Sequence, residues 1–246
     1  MTPIEWLFLT IIISLAGVIR GCIGFGFSAL VIASSTLFLD PTIVVPMMAV
    51  LEIIASIHMA ITTWRDAERK ILIYLLVGAT IATPLGVYAL VILPADSIRL
   101  LLSLMILILS GLLACGWQYR GRRGPGTFFF LGLLSGVCNG AAAVGGLPVA
   151  TFLTAMKLNM ASFRATLVLF FFGIDIVFIL SASGHGLYTQ SLIIMSVLMI
   201  IPMTLGVHLG GKLFTIVPEE RLKTGVIGLL ILLSLIGLTR AAIGLF

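Results

Sequence analysis

Arg20-Gly21-Cys22-Ile23-Gly24-Phe25-Gly26-Phe27 is the stretch best placed to do chemistry. With Gly17 it reads G-x-x-x-G-x-x-G-x-G, and it sets an arginine within sequence that is otherwise apolar. Glycine reaches backbone angles closed to other residues, so such a cluster can turn the chain and leave amides free for a ligand. In a bilayer, non-helical backbone survives only where protein buries it or where it lines an aqueous cavity. A looser copy lies past the middle: Gly132-Leu-Leu-Ser135-Gly136-Val-Cys138-Asn139-Gly140, leading into Gly145-Gly146-Leu147-Pro148. Two interrupted apolar segments in corresponding halves mark the binding site of a transporter. The plainer reading is close helix packing through small residues. That reading leaves Arg20 and the recurrence unexplained.

An anion suits these groups. The planar fork of Arg20 matches an oxyanion. The amides of Gly21, Gly24, Gly26, Gly145 and Gly146 would attract one at half-helix N-termini. Cys22, Ser28, Ser135 and Asn139 add polar groups at the breaks, and Arg164 and Thr166 lie one turn into a later helix. For both arginines the alternative is snorkelling to the headgroups. Glu52 and Asp175 fall deep in apolar segments of corresponding rank, and His58 follows Glu52 by about two turns. A carboxylate in such a place is costly unless paired or protonated. These three are therefore proton-coupling candidates, and an internal partner for Arg20 or Arg164 is the other role open to the carboxylates.

The elements that must hold these groups are helices in lipid. The chain is 61% hydrophobic and 9% charged, with mean hydropathy +1.28, where a soluble domain carries about a quarter charged residues. The segments are apolar all round instead of alternating, which excludes a barrel. The three cysteines form no disulfide framework or C-x-x-C metal site. The net charge of +5 comes from loops and offers no basic run for nucleic acid. No metal or cofactor is expected; the expected partners are a small anion, membrane lipid and a second copy of the chain.

About ten apolar segments follow: 4–19, 22–39, 42–64, 71–93, a fifth ending near Tyr119, then 127–137, 141–156, 160–182, 187–209 and 224–246. The first lacks a basic n-region and a cleavage site, so it reads as a retained helix. Asp40-Pro41, Pro94 to Ser97 and Gly184-His185-Gly186 read as turns, and the basic stretch from Arg120 to Gly126 as the hinge between repeats 1–119 and 124–246. Pro94 matches Pro218, and Leu85-Gly86-Val87 matches Leu205-Gly206-Val207, so the repeat covers whole halves. If every segment crosses, nearly all lysines and arginines fall on one side, leaving Arg99 and Arg240 on the other. The positive-inside rule then puts both termini outside a cell's inner membrane. Five crossings per half invert the repeats, and inverted repeats with paired breaks describe a secondary transporter of the alternating-access kind. The fold expected is an all-α polytopic membrane protein, one domain with two inverted repeats.

The Gly-rich openings of both halves, Gly145-Gly146-Leu147-Pro148 and Ala161-Ser-Phe-Arg-Ala-Thr166 together resemble the TauE/SafE sulfite exporter family over nearly the full chain. The resemblance implies handling of small sulfur-containing anions, sulfite or organosulfonates, mainly by export. Uptake, a channel for another small anion, and a non-transporting scaffold are the other classes weighed. An intramembrane protease is disfavoured. Ser181 and His185 share one turn region instead of facing helices, and Phe172-Gly-Ile-Asp175 lacks the second glycine of a Gly-x-Gly-Asp motif.

Overall fold

The structure, a computed structural model, describes residues 2–23, 26–119, 121, 123–156, 158–213 and 219–245, the side chains of 23, 58, 62, 160, 213, 219–223 and 242–245 excepted. Helices succeed one another as α1 (Pro3–Ile23), α2 (Phe27–Ser35), α3 (Pro41–Thr63), α4 (Arg69–Ile92), α5 (Ala95–Ala114), α6 (Pro125–Ala142), α7 (Gly146–Ala155), α8 (Met160–Gly184), α9 (Gln190–Leu213) and α10 (Glu219–Leu245). A single 3-10 turn, Trp64–Asp66, joins α3 to α4, and the described residues contain no strand.

Local chemistry sets the boundaries. Pro41 opens α3 behind Asp40, whose carboxylate accepts the Thr42 amide at 2.9 Å. Asn159 caps α8 the same way through the Ser162 amide at 2.9 Å. These side chains satisfy amides that have no partner within the helix.

Among the described residues, eight helices are long and apolar enough to cross a membrane. The two break segments are the short ones among the ten: α2 has 9 residues and α7 has 10. At 1.5 Å per residue each covers about half the hydrocarbon thickness. A correction concerns the later break. The sixth segment continues past Val137 through Gly136, Asn139 and Gly140 to Ala142, because these glycines face α4 and leave the helical hydrogen bonds intact. The chain turns instead at Ala143, which takes the left-handed conformation at φ 48°. Likewise α1 runs through Arg20 and Gly21 to Ile23, and Gly26 supplies the turn at φ 91°, where a side chain would be strained.

Close parallel pairs organise the bundle. Gly132, Gly136 and Gly140 of α6 meet the backbone of Leu75, Ala79 and Thr83 of α4, with numbers rising together. Gly17 and Gly21 of α1 meet Met203 to Gly211 of α9 in the same sense. The packing role for Gly17, Gly21, Gly132 and Gly136 is therefore realised. The repeated Leu-Gly-Val motif does one job twice: Gly86 of α4 meets Gly140, and Gly206 of α9 meets Gly17.

Directions follow from other contacts. The Tyr188 hydroxyl, beyond the end of α8, donates to the Pro46 carbonyl near the start of α3, so these two helices run antiparallel. Trp6 of α1 shares a cavity of about 430 Å³ with Thr42 at the start of α3, so α1 runs with α3. The Glu68 amide before α4 donates to Thr166 in the first turns of α8, so α4, and with it α6, runs against α1. At the far end of α2, Arg99 donates to the carbonyls of Thr36 (2.8 Å) and Leu39 (3.2 Å) while pairing with Asp96 at 2.7 Å. That clamp returns α2 to the face from which α3 and α5 start.

Candidate functional site

The last turn of α1 points Arg20 into the bundle, where its side chain is fully buried (0% exposed). Snorkelling is excluded for it by that burial. Its Nη2 lies 2.8 Å from Glu52 Oε2 and donates to the Ser56 hydroxyl at 3.1 Å. The guanidinium rests on the Phe171 ring, 4.6 Å from its centre. Among the described residues its Nε and Nη1 have no acceptor. Glu52 takes a second, short hydrogen bond from the Ser28 hydroxyl, which α2 brings in just after the first break. A lone charge here would cost several kcal/mol; pairing offsets part of that, and the unmet donors remain an open demand for negative charge.

The second half contributes a matching limb. Asn139 of α6 donates through Nδ2 to Asp175 Oδ1 at 3.0 Å, and its own Oδ1 accepts the Gly145 amide at 3.4 Å. Among the described residues Asp175 Oδ2 and the Ser135 hydroxyl have no partner. Both Glu52 and Arg20 act electrostatically on Asp175, so the two limbs form one cluster.

The two breaks meet beside it. Gly26, Ser28 and Ala29 from the first, and Ala143, Val144, Gly146 and Leu147 from the second, enclose with Phe171 a void of about 10 Å³. Such a void admits roughly one water. Gly26 and Gly145 stand at the N-caps of α2 and α7 with no side-chain cap, so two half-helix N-termini start at the breaks. A Cβ on Gly145 would strike Ser135 and Asn139, and one on Gly146 would enter the Phe171 ring. Glu52 lies midway along α3, which sets the cluster near the middle of the helix layer.

Of the residues expected at the site, Arg20, Gly26, Ser28, Glu52, Ser135, Asn139, Gly145, Gly146 and Asp175 come together here. Others turn to different work. Gly21 packs on α9, and its carbonyl lies 3.5 Å from Arg164 Nη2. The Cys22 thiol donates to the Gly210 carbonyl at 3.1 Å. Thr166 accepts the Glu68 amide at 3.0 Å. Gly24 and the His58 side chain lie outside the described residues. Two participants were not anticipated, Ser56 and Phe171. Each stands one helical turn from a carboxylate that was (Glu52 and Asp175), and that spacing was the available signal.

Among the described residues, eight membrane-length apolar helices and two half-helices whose starts meet beside a buried polar cluster are the architecture of a polytopic membrane protein. The model of the family described as "Sulfite exporter TauE/SafE" matches residues 9–236. The chain belongs to that family, whose members are membrane transporters of sulfite or related anions. No curated protein and no solved structure matches it.

Proposed function

We propose that the protein is a secondary transporter that exports sulfite or a small organosulfonate by alternating access. The observation that carries this reading is the fully buried Arg20, stacked on Phe171 beside the breaks, whose Nε and Nη1 have no acceptor among the described residues. A small oxyanion leaving water needs its hydration replaced, and the half-helix amides supply donors without adding fixed negative charge. The void is far smaller than such an anion, which on this reading makes the conformation a closed one. Support for alternating access comes from the helix pairs. Exchanging the halves turns α1 on α9 into α6 on α4, both parallel and both glycine-mediated. The antiparallel sense of α1 and α6 is what inverted repeats require. Proton coupling through Glu52 or Asp175 belongs to the same reading.

Purified protein in liposomes is expected to move sulfite or a small sulfonate down an imposed gradient, with flux responding to a pH gradient. Flux no greater than in empty liposomes for all of these anions would overturn the proposal.

The same reading sets orientation, with the connections 65–70, 115–124 and 212–223 in the cytoplasm and both termini outside. Cys115, exposed at the end of α5, serves as a native reporter. In intact cells a membrane-impermeant thiol reagent should miss Cys115 and label a cysteine placed at Thr189. Labelling of Cys115 with Thr189→Cys left untouched would reverse the topology.

A further inference from the structure

In the closed protein Glu52 already fills the role an incoming anion would play. It is a small oxyanion, it lies 2.8 Å from Arg20 Nη2, and its hydrogen-bond partner Ser28 lines the void between the breaks. We propose that Glu52 is a built-in surrogate for the substrate, and that the anion binds Arg20 only together with a proton that neutralises Glu52. This rests on the transport reading above and assigns the coupling to one carboxylate and one exchange of partners.

Charge and hydrogen bonding lead to this exchange. Arg20 is the cation of the cluster, and it faces Glu52 from α3 and Asp175 from α8. Adding a monoanion while Glu52 stays ionised would leave at least one uncompensated negative charge in a dry site, which costs several kcal/mol. One proton on Glu52 restores neutrality and releases Arg20 Nη2. The partner that remains suits both states: the Ser28 hydroxyl donates to Glu52 as a carboxylate and can accept from it as an acid. Ser56, one turn along α3, keeps its place on Nη2. Asp175 is not equivalent, since its Oδ1 is held by Asn139 and no ion pair joins it to Arg20. The other described groups near the cluster are the Cys22 thiol at the end of α1, Arg164 in the first turns of α8, whose Nη2 lies 3.5 Å from the Gly21 carbonyl, and the Tyr188 phenol between α8 and α9. The thiol is engaged by Gly210 and the phenol by Pro46. The proton comes from bulk water, and the consequence is one proton bound with each monoanion, which makes the loaded carrier electroneutral relative to the empty one.

The test uses methanesulfonate, which stays a monoanion across the working pH range, so any proton taken up belongs to the protein. Calorimetry of the full chain in two buffers of different ionisation enthalpy should show about one proton absorbed per anion bound, with affinity falling about tenfold per pH unit at alkaline pH. Glu52→Gln should abolish the uptake and raise alkaline affinity about tenfold or more, the worth of one charge-assisted hydrogen bond. Binding without proton uptake by the parent protein overturns the inference while leaving the transport reading standing. So does an uptake that disappears in Asp175→Asn and persists in Glu52→Gln. If neither methanesulfonate nor sulfite binds the parent, both readings fall. Should Glu52→Gln not fold, the two-buffer measurement on the parent decides alone.

Discussion

Arg20→Ala is expected to lower anion flux about a hundredfold or more. The change removes the cation of the site, its charge-assisted hydrogen bonds and its stacking on Phe171. It also strands Glu52 in an apolar interior, and removing one partner of a buried ion pair costs about 3–5 kcal/mol of stability. Loss of flux in the single variant therefore mixes two effects, which the double variant Arg20→Ala/Glu52→Gln separates. With no charge left to strand, the double variant should regain much of the lost stability and still fail to transport. Arg20→Lys keeps the charge but cannot reproduce the planar donor set or lie flat on Phe171, so an intermediate loss is expected. Thermal stability and liposome flux measured together decide the matter. Near-parental flux in the double variant would mean that Arg20 serves only as the counter-ion of Glu52.

The second large effect is architectural. Gly140→Val is expected to destabilise the protein by about 1–3 kcal/mol or more, since overpacking a site walled by backbone leaves no flexible side chain to yield. A Cβ at Gly140 would overlap the Thr83 carbonyl oxygen and come 2.7 Å from the Val87 amide nitrogen. The helices α4 and α6 would have to separate, and Asn139, next to Gly140, would lose its aim at Asp175. Gly228→Val supplies the control. Gly228 lies on α10 with nothing within 4 Å of a Cβ, so substitution there should leave stability close to the parent. A thermal midpoint for Gly140→Val equal to that of Gly228→Val would refute the assignment of the α4–α6 seam as a close-packed joint.

Much of this was legible in the residues because it depends on local chemistry. Asp40 before Pro41 and Asn159 before Met160 announce helix starts through caps that need no tertiary partner. A mean hydropathy of +1.28 admits only helices in lipid, since every backbone group must be satisfied within its own segment. Gly17 and Gly21, Gly132 and Gly136, and Gly86 and Gly206 stand at matching offsets in the sequence, and each of them packs against a neighbouring helix. Arg20, Glu52, Asn139 and Asp175 stood out because polar groups in apolar helices are too costly to keep without a use.

Other features needed the fold. Composition cannot tell a 9-residue half-helix from a full crossing when the residues around it are equally apolar, so α2 and α7 were read too long. A glycine at a seam and a glycine at a turn look alike in one dimension; the neighbour across the gap distinguishes them. Gly136 and Gly140 therefore stay helical against α4, while the chain turns at Ala143, whose side chain gives no such warning. The same holds for Arg20. Snorkelling and burial are equally compatible with an arginine at the end of a segment, and the choice was made by Glu52, 32 positions away, and by Phe171 from the other half. The sequence by itself determined that this is a helical membrane protein with polar groups at two interrupted segments. Only the tertiary structure decided that the two interruptions meet and that a carboxylate sits on the arginine beside them, because that juxtaposition depends on helix packing over distances no local pattern encodes.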